Sequence, residues 1–110
     1  MTPANASDEE LERVFAVLGS KHVVYGHIHQ PFVRRLPTCT VTNSGAVSLS
    51  YDGDPRAAYA LVDGGGVVIR RVEYDVEQEV RLLLSTADPF AESTAGTLRT
   101  GAYVALAAGP

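Results

Sequence analysis

The sequence has little cysteine, little positive charge and no long apolar run. Cys39 is the single cysteine among 110 residues, which excludes an internal disulfide framework and fits a reducing compartment. Lys and Arg total 9 against 13 Asp and Glu, a formal net charge of -4, which argues against a nucleic-acid backbone as partner. No apolar run approaches the roughly 20 residues of a membrane helix, and no secretory signal pattern opens the chain. We therefore predict a cytoplasmic protein that does not contact membranes.

The residues that are present indicate a globular α+β fold. Hydrophobic residues make up 45% of the chain and charged residues 20%, a balance that suits one small domain or a piece of a larger one. Ser7 and Glu10 form a capping-box pattern that predicts a helix ending near Gly19. About five strand candidates follow, and then two helices, one capped by Asp75 and a weaker one opened by Asp88-Pro89. A run of strands followed by helices favours the α+β class.

The predicted strands are short and β-prone, and turn residues separate them. Their ranges are 22–25, 32–36, 38–42, 57–62 and 67–74, with a less regular extended piece at 46–50. The two ends of the chain, 1–6 and 102–110, show no periodic pattern. We predict irregular tails there.

Two histidines follow the first predicted strand, in the order Gly26-His27-Ile28-His29. If the extended conformation continues through them, strand alternation places both imidazoles on one side. They can then converge on one metal or on two neighbouring metals, and Gly26 leaves room for a ligand to approach. A His-x-His pair also arises by chance, and two surface histidines at a strand end explain it equally well.

The surrounding sequence carries a family resemblance. An apolar strand that delivers Gly-His-x-His into a loop bounded by Pro31 resembles the terminal motif of calcineurin-like metallophosphoesterases. Asn43-Ser44-Gly45-Ala46-Val47 resembles the Asn-Pro-Gly-Ser-Val turn that follows it in that family. Residues 52–60 and 70–77 resemble the next two segments, in the family's order. The resemblance covers roughly residues 7 to 100.

The resemblance implies a fold, a chemistry and a site. Residues 1–110 would be a single partial domain, the C-terminal part of a β-sandwich flanked by helices. The activity would be hydrolysis of phosphoric esters with two divalent metal ions, and Mn, Fe, Zn and Ni all remain open. His29 would bind the first metal and His27 the second. Gly26, Asn43 and Gly45 would form the loop beside the substrate.

The family's other metal-binding motifs do not occur in this sequence. Asp-x-His, Gly-Asp-x-x-Asp, Gly-Asn-His and one further histidine are missing, and His22 lies too close on the same strand to replace it. The catalytic residues are therefore unassigned, and we expect the chain alone to be inactive. The preferred interpretation is a hydrolase fragment that acts on a phosphate ester and pairs with the rest of the fold or with itself. The alternative is a non-catalytic binding or assembly module.

Other residues have structural interpretations that compete with functional ones. Arginine can bind phosphate bidentately, but a solvated strand edge is the preferred interpretation for Arg34, Arg35 and Arg56. Aspartates in turns bond to nearby backbone donors, which is the role predicted for Asp52, Asp54 and Asp63. Cys39 is predicted to be a small buried residue. The run Leu82-Leu83-Leu84 is predicted to face the core, with the alternative that one of the leucines meets a missing partner.

Overall fold

The computed structural model describes residues 3–109 and shows, within them, three α-helices and five strands. The helices are α1 (Asp8–Phe15), α2 (Val76–Leu84) and α3 (Ala91–Thr100). The strands are β1 (His22–Tyr25), β2 (Phe32–Arg35), β3 (Thr40–Asn43), β4 (Ala57–Asp63) and β5 (Gly66–Val72). This order confirms the predicted α+β class. Among the described residues, none of the helices is long and apolar enough to cross a membrane.

The first helix begins where the capping box predicts. The Ser7 hydroxyl accepts a hydrogen bond from the Glu10 amide at 3.2 Å, and the Ser7 amide donates to the Glu10 carboxylate at 2.9 Å. The two bonds satisfy backbone donors that would otherwise have no partner at the helix start. The α-helix ends at Phe15, a single 3-10 turn continues through 16–18, and Gly19 closes it with a φ of 66°.

The strands form two small sheets. In the first, β3 lies between β1, which runs parallel to it, and β2, which runs antiparallel. In the second, β4 and β5 form a hairpin joined by the predicted glycine turn, with Asp63 opposite Gly66. The predicted extended piece at 46–50 forms no strand, although the Ala46 carbonyl accepts a hydrogen bond from the Ala58 amide at 2.8 Å.

Two separate apolar clusters hold the helices and the three-stranded sheet. The first joins α1 to the three-stranded sheet and consists of Ala6, Leu11, Val23, Cys39 and Val41, with Phe15, Tyr25, Phe32 and Leu36 packed against it. The second joins α2 to α3 and consists of Val80, Ala95 and Leu98, with Leu49, Val76 and Leu83 packed against it. Cys39 is therefore buried, as predicted.

The predicted core-facing leucine run of α2 is confirmed at one position only. Leu83 packs against the second cluster, whereas Leu82 is 58% exposed and Leu84 is 44% exposed. Residues three and four apart share a helix face, so neighbouring residues point in different directions. Without another element on its outer side, α2 can bury only one leucine of the run.

The tail after α3 has no helix or strand in residues 102–109 and is exposed, yet hydrogen bonds tie it to the helix. It folds back along α3, and the Val104 amide donates to the Thr97 hydroxyl at 3.0 Å. Further along, the Ser93 hydroxyl donates to the Ala107 carbonyl at 3.1 Å and accepts from the Ala107 amide at 3.0 Å. Residues 1, 2 and 110, which belong to the predicted tails, lie outside the described residues.

Candidate metal centre

The predicted histidine pair lies in a sharp bend directly after β1. The strand ends at Tyr25, and His27 and His29 have φ values of 77° and 58°, in the left-handed region. The extended conformation therefore does not continue through the pair, and strand alternation does not orient the two side chains. Left-handed residues with a side chain cost about 1–3 kcal/mol and persist only where the surroundings hold them.

His29 is held by three contacts. Its Nδ1 lies 2.7 Å from the Leu49 carbonyl oxygen, and its backbone carbonyl accepts a hydrogen bond from the Tyr51 amide at 2.9 Å. The ring also stacks on Tyr51, with 4.6 Å between centroids and 15° between planes. A carbonyl can only accept, so Nδ1 carries the hydrogen, and in the neutral ring the lone pair is on Nε2. This arrangement is typical of metal-binding histidines, whose second nitrogen is fixed by a carbonyl or carboxylate.

The tyrosine beside His29 belongs to an aromatic chain that sequence reasoning missed. Tyr51 contacts Tyr103 of the C-terminal tail edge-on, with 5.4 Å between centroids and 79° between planes. The Tyr51 carbonyl also accepts a hydrogen bond from the Gln30 side-chain amide at 3.1 Å. No periodicity or motif links these residues, because their contact depends on how the 46–52 loop and the tail fold back.

Asn43 brings the other predicted site residues together. Its side chain is fully buried; Nδ2 donates to the Gly26 carbonyl at 3.1 Å and Oδ1 accepts from the Gly45 amide at 2.9 Å. Gly45 has a φ of 75°, and a Cβ there would lie 2.9 Å from Pro31 Cβ. The residue must therefore be glycine on two grounds, conformation and space.

Gly26 lies beside open space, which is compatible with the predicted room for a ligand. A Cβ at this position would meet no described atom within 4 Å, and its φ is not in the left-handed region. Its missing side chain therefore leaves open surface beside the bend. The contacts at Gly26 are made by its carbonyl, which also accepts from the Ile28 amide at 3.0 Å.

The predicted metal donors are the imidazoles of His27 and His29. His27 is exposed at the bend, and His22 is exposed on β1. Within residues 3–109, no three or more His, Cys, Asp or Glu side chains are grouped so that they could hold a metal ion. Imidazole nitrogens suit a transition-metal ion, and His29 has its Nε2 lone pair free for one, so the pair fits as a partial ligand set. His27 and His29 remain predicted ligands.

Two of the three arginines considered as phosphate ligands have structural partners instead. Arg34 donates to the Ala6 carbonyl at 3.0 Å and to the Asp8 carboxylate at 2.8 Å, which ties the start of the chain to β2. Arg56 pairs with Asp54 at 2.7 Å. That guanidinium holds the pKa of Asp54 at about 2, mainly through the side-chain hydrogen bond. Arg35 is exposed.

The predicted turn aspartates are confirmed at two positions. Asp52 Oδ1 accepts from the Asp54 amide at 3.2 Å, and Asp54 Oδ1 accepts from the Arg56 amide at 3.0 Å. Both carboxylates also lie within ion-pair distance of Arg71 of β5. The third, Asp63, is the last residue of β4.

Comparison with solved structures relates this arrangement to a known fold. The crystal structure of a metallophosphoesterase from Sphaerobacter thermophilus superposes on 86% of this chain with a TM-score of 0.75 and 24% sequence identity. The chain shares part of the metallophosphoesterase fold. It spans 47% of the length of that protein. No protein-family model matches the sequence, and no curated protein matches it.

Proposed function

We propose that the chain is the C-terminal part of a metal-dependent phosphoric ester hydrolase. In this proposal His29 and His27 each bind one of two divalent ions, and the remaining ligands come from the half of the fold that the chain does not contain. The observation that carries the proposal is the geometry of His29. Its Nδ1 is fixed by the Leu49 carbonyl at 2.7 Å, so Nε2 is free for a metal at the end of β1.

The shape and surface of the chain support a partial domain. Its radius of gyration is 16.2 Å, whereas a compact domain of about 100 residues has about 13 Å. Its accessible surface is 6788 Å², about 900 Å² above the roughly 5,900 Å² expected for a folded monomer of this mass. A standard protein–protein interface buries about 800 Å² on each partner. The excess is therefore of the size that one interface would cover.

Part of that surplus surface is apolar and lies on α1, on the 3-10 turn that follows it and on β1. Val17 is 82% exposed, Leu18 59%, Val24 52% and Val14 44%. The apolar helix face that the sequence predicts at i, i+3, i+4 and i+7 from Leu11 is thus only partly covered: Leu11 is fully buried and Phe15 packs against the first cluster. In the proposed enzyme the other half of the fold covers this face, because apolar surface of that extent is unfavourable in water.

The residues of this chain would have distinct roles. When bound, two divalent ions neutralise charge on the phosphate oxygens and activate a water molecule. His29 would bind with a ring already oriented, which lowers the entropy lost on coordination. Asn43 would hold the bend at Gly26 and the turn at Gly45 together beside the ester.

The proposal is tested by restoring the missing half. The chain is produced alone and as the longer product that includes any residues encoded upstream in the same reading frame. Both are assayed with Mn²⁺ against an aryl phosphate and a diaryl phosphate. We expect turnover from the longer product only, abolished in His29→Ala and retained in His22→Ala, which removes an exposed histidine of β1.

Two outcomes would contradict the proposal. Turnover by the 110-residue chain alone would show that the two histidines need no further ligands. Turnover by the longer product that is unchanged in His29→Ala would remove the pair from the reaction. An inactive longer product that still binds a macromolecular partner would instead support the alternative of a binding or assembly module.

A further inference from the structure

The C-terminal tail reaches the candidate metal centre through two aromatic contacts. Tyr103 is edge-on to Tyr51 at 5.4 Å, and Tyr51 stacks on His29 at 4.6 Å. We infer that Tyr51 and Tyr103 are positioning residues for the His29 imidazole. The inference rests on the proposed function, in which His29 is a metal ligand.

The exposure of Tyr103 indicates a role beyond ordinary packing. It is 62% exposed and belongs to neither apolar cluster. An aromatic ring left largely in water contributes little hydrophobic stabilisation to the fold. Its edge, however, meets Tyr51 in the T-shaped geometry that aromatic pairs prefer. The contact therefore restrains Tyr51 more than it stabilises the domain.

The tail itself is anchored independently of these rings. The Val104 amide donates to the buried Thr97 hydroxyl, and the Val104 side chain lies over Gly96, where an added Cβ would come within 3.3 Å of it. Ser93 binds Ala107 in both directions. Since α3 carries all of these contacts, the helix fixes where Tyr103 meets Tyr51.

The stack acts on a ring that has one remaining degree of freedom. The Leu49 carbonyl fixes the position of Nδ1, but a single hydrogen bond allows the imidazole plane to tilt around it. Tyr51 lies nearly parallel to that plane, 15° away, and so limits the tilt. Nε2 is then held in one direction, as a preorganised ligand requires.

The first test reads the ring directly, without metal. Nitrogen NMR of the histidine side chains in the whole chain reports the His29 tautomer and the ring-current shift from Tyr51. We expect Tyr103→Ala and the double variant Ser93→Ala/Thr97→Val to lower the population of the Nδ1-protonated tautomer of His29 and to decrease the ring-current shift from Tyr51. Tyr103→Phe should resemble the wild type because it keeps the ring. Tyr59→Ala, which removes a 44% exposed tyrosine of β4, serves as control.

The second test measures Zn²⁺ affinity in the same variants. Aromatic pairs and the residues that support a metal ligand both contribute to metal affinity. We therefore expect Tyr103→Ala to bind Zn²⁺ about 2- to 10-fold more weakly than the wild type. Thermal unfolding is followed in parallel, and the double variant, which keeps both rings, covers the case in which Tyr103→Ala does not fold. His29 signals and Zn²⁺ affinity that stay unchanged in a folded Tyr103→Ala and in the double variant would overturn the inference.

The two tests separate this inference from the proposed function. If Zn²⁺ binding requires His29 but is insensitive to Tyr103, the inference fails and the metal site stands. If the ring signals change in Tyr103→Ala while wild-type Zn²⁺ binding is independent of His29, the positioning contact stands and the hydrolase proposal fails.

Discussion

Replacement of Gly101 by alanine should destabilise the protein far more than alanine at two other glycines. Gly101 ends α3 with a φ of 68°, and a Cβ there would lie 2.5 Å from the Asp54 carbonyl carbon and 2.6 Å from the Pro55 nitrogen. The Gly101 carbonyl also accepts from the Gly53 amide at 2.8 Å. The helix end and the turn at 52–55 are therefore in backbone contact, with no space for a methyl group.

The expected magnitude follows from two additive costs. A left-handed residue with a side chain costs about 1–2 kcal/mol, and overpacking against atoms that cannot rotate away costs about 1–3 kcal/mol. The sum for Gly101→Ala is about 2–5 kcal/mol. Gly19 has a φ of 66° but open space, so Gly19→Ala should show the first cost only. Gly65 has neither constraint, and Gly65→Ala should be nearly neutral.

The assay is urea unfolding of the three variants, followed by circular dichroism. With a slope of about 1–3 kcal/mol per molar urea, a loss of 3 kcal/mol moves the midpoint by about 1–3 M. The decisive quantity is the order of the midpoints, with Gly65→Ala above Gly19→Ala and Gly101→Ala lowest. Equal midpoints for Gly19→Ala and Gly101→Ala would refute the close approach of α3 to the turn.

Two further predictions concern the polar contacts. Arg56 lowers the pKa of Asp54 from 3.8 to about 2, so the stability that the pair contributes is present above the ordinary pKa and is lost as the pH falls through about 2. The melting temperature of wild type should therefore exceed that of Asp54→Asn by a constant amount above pH 5 and by less below pH 4. A difference in melting temperature that does not change down to pH 2 would contradict the pairing. Asn43→Ala removes the acceptor of the Gly45 amide at a cost of about 1–3 kcal/mol, while the Gly26 carbonyl keeps its bond from the Ile28 amide. Its urea midpoint should therefore fall below that of Asn5→Ala, which alters an exposed asparagine. Coincident midpoints would argue against the buried amide contacts.

Local patterns in the sequence predicted the elements whose contacts lie within a few residues. The capping box at Ser7 and Glu10 places the start of α1, and Asp75 caps α2 by accepting from the Gln78 amide at 3.0 Å. Each of these features depends on hydrogen bonds between residues three apart, and the chain can form them wherever it lies. The class of the fold followed from the order of such elements.

The bend at the histidine pair shows where local reasoning fails. Alternation along a strand orients side chains only while the backbone stays extended, and β1 ends two residues before His27. Nothing in the residue types between 26 and 31 specifies two left-handed histidines. Their conformation is maintained by Asn43, which holds the Gly26 carbonyl, and by the 46–52 loop.

The sequence by itself determined the class of the fold, the starts of α1 and α2, the hairpin and the choice of His27 and His29 as candidate ligands, whereas α3 begins at Ala91 and not at the predicted Asp88-Pro89. The tertiary structure decided how His29 is oriented, because its partners Leu49 and Tyr51 are remote in the chain and Tyr103 is more remote still. It also decided which predicted apolar faces are buried. Burial depends on whether another element packs against a face, and periodicity along one segment carries no information about that neighbour.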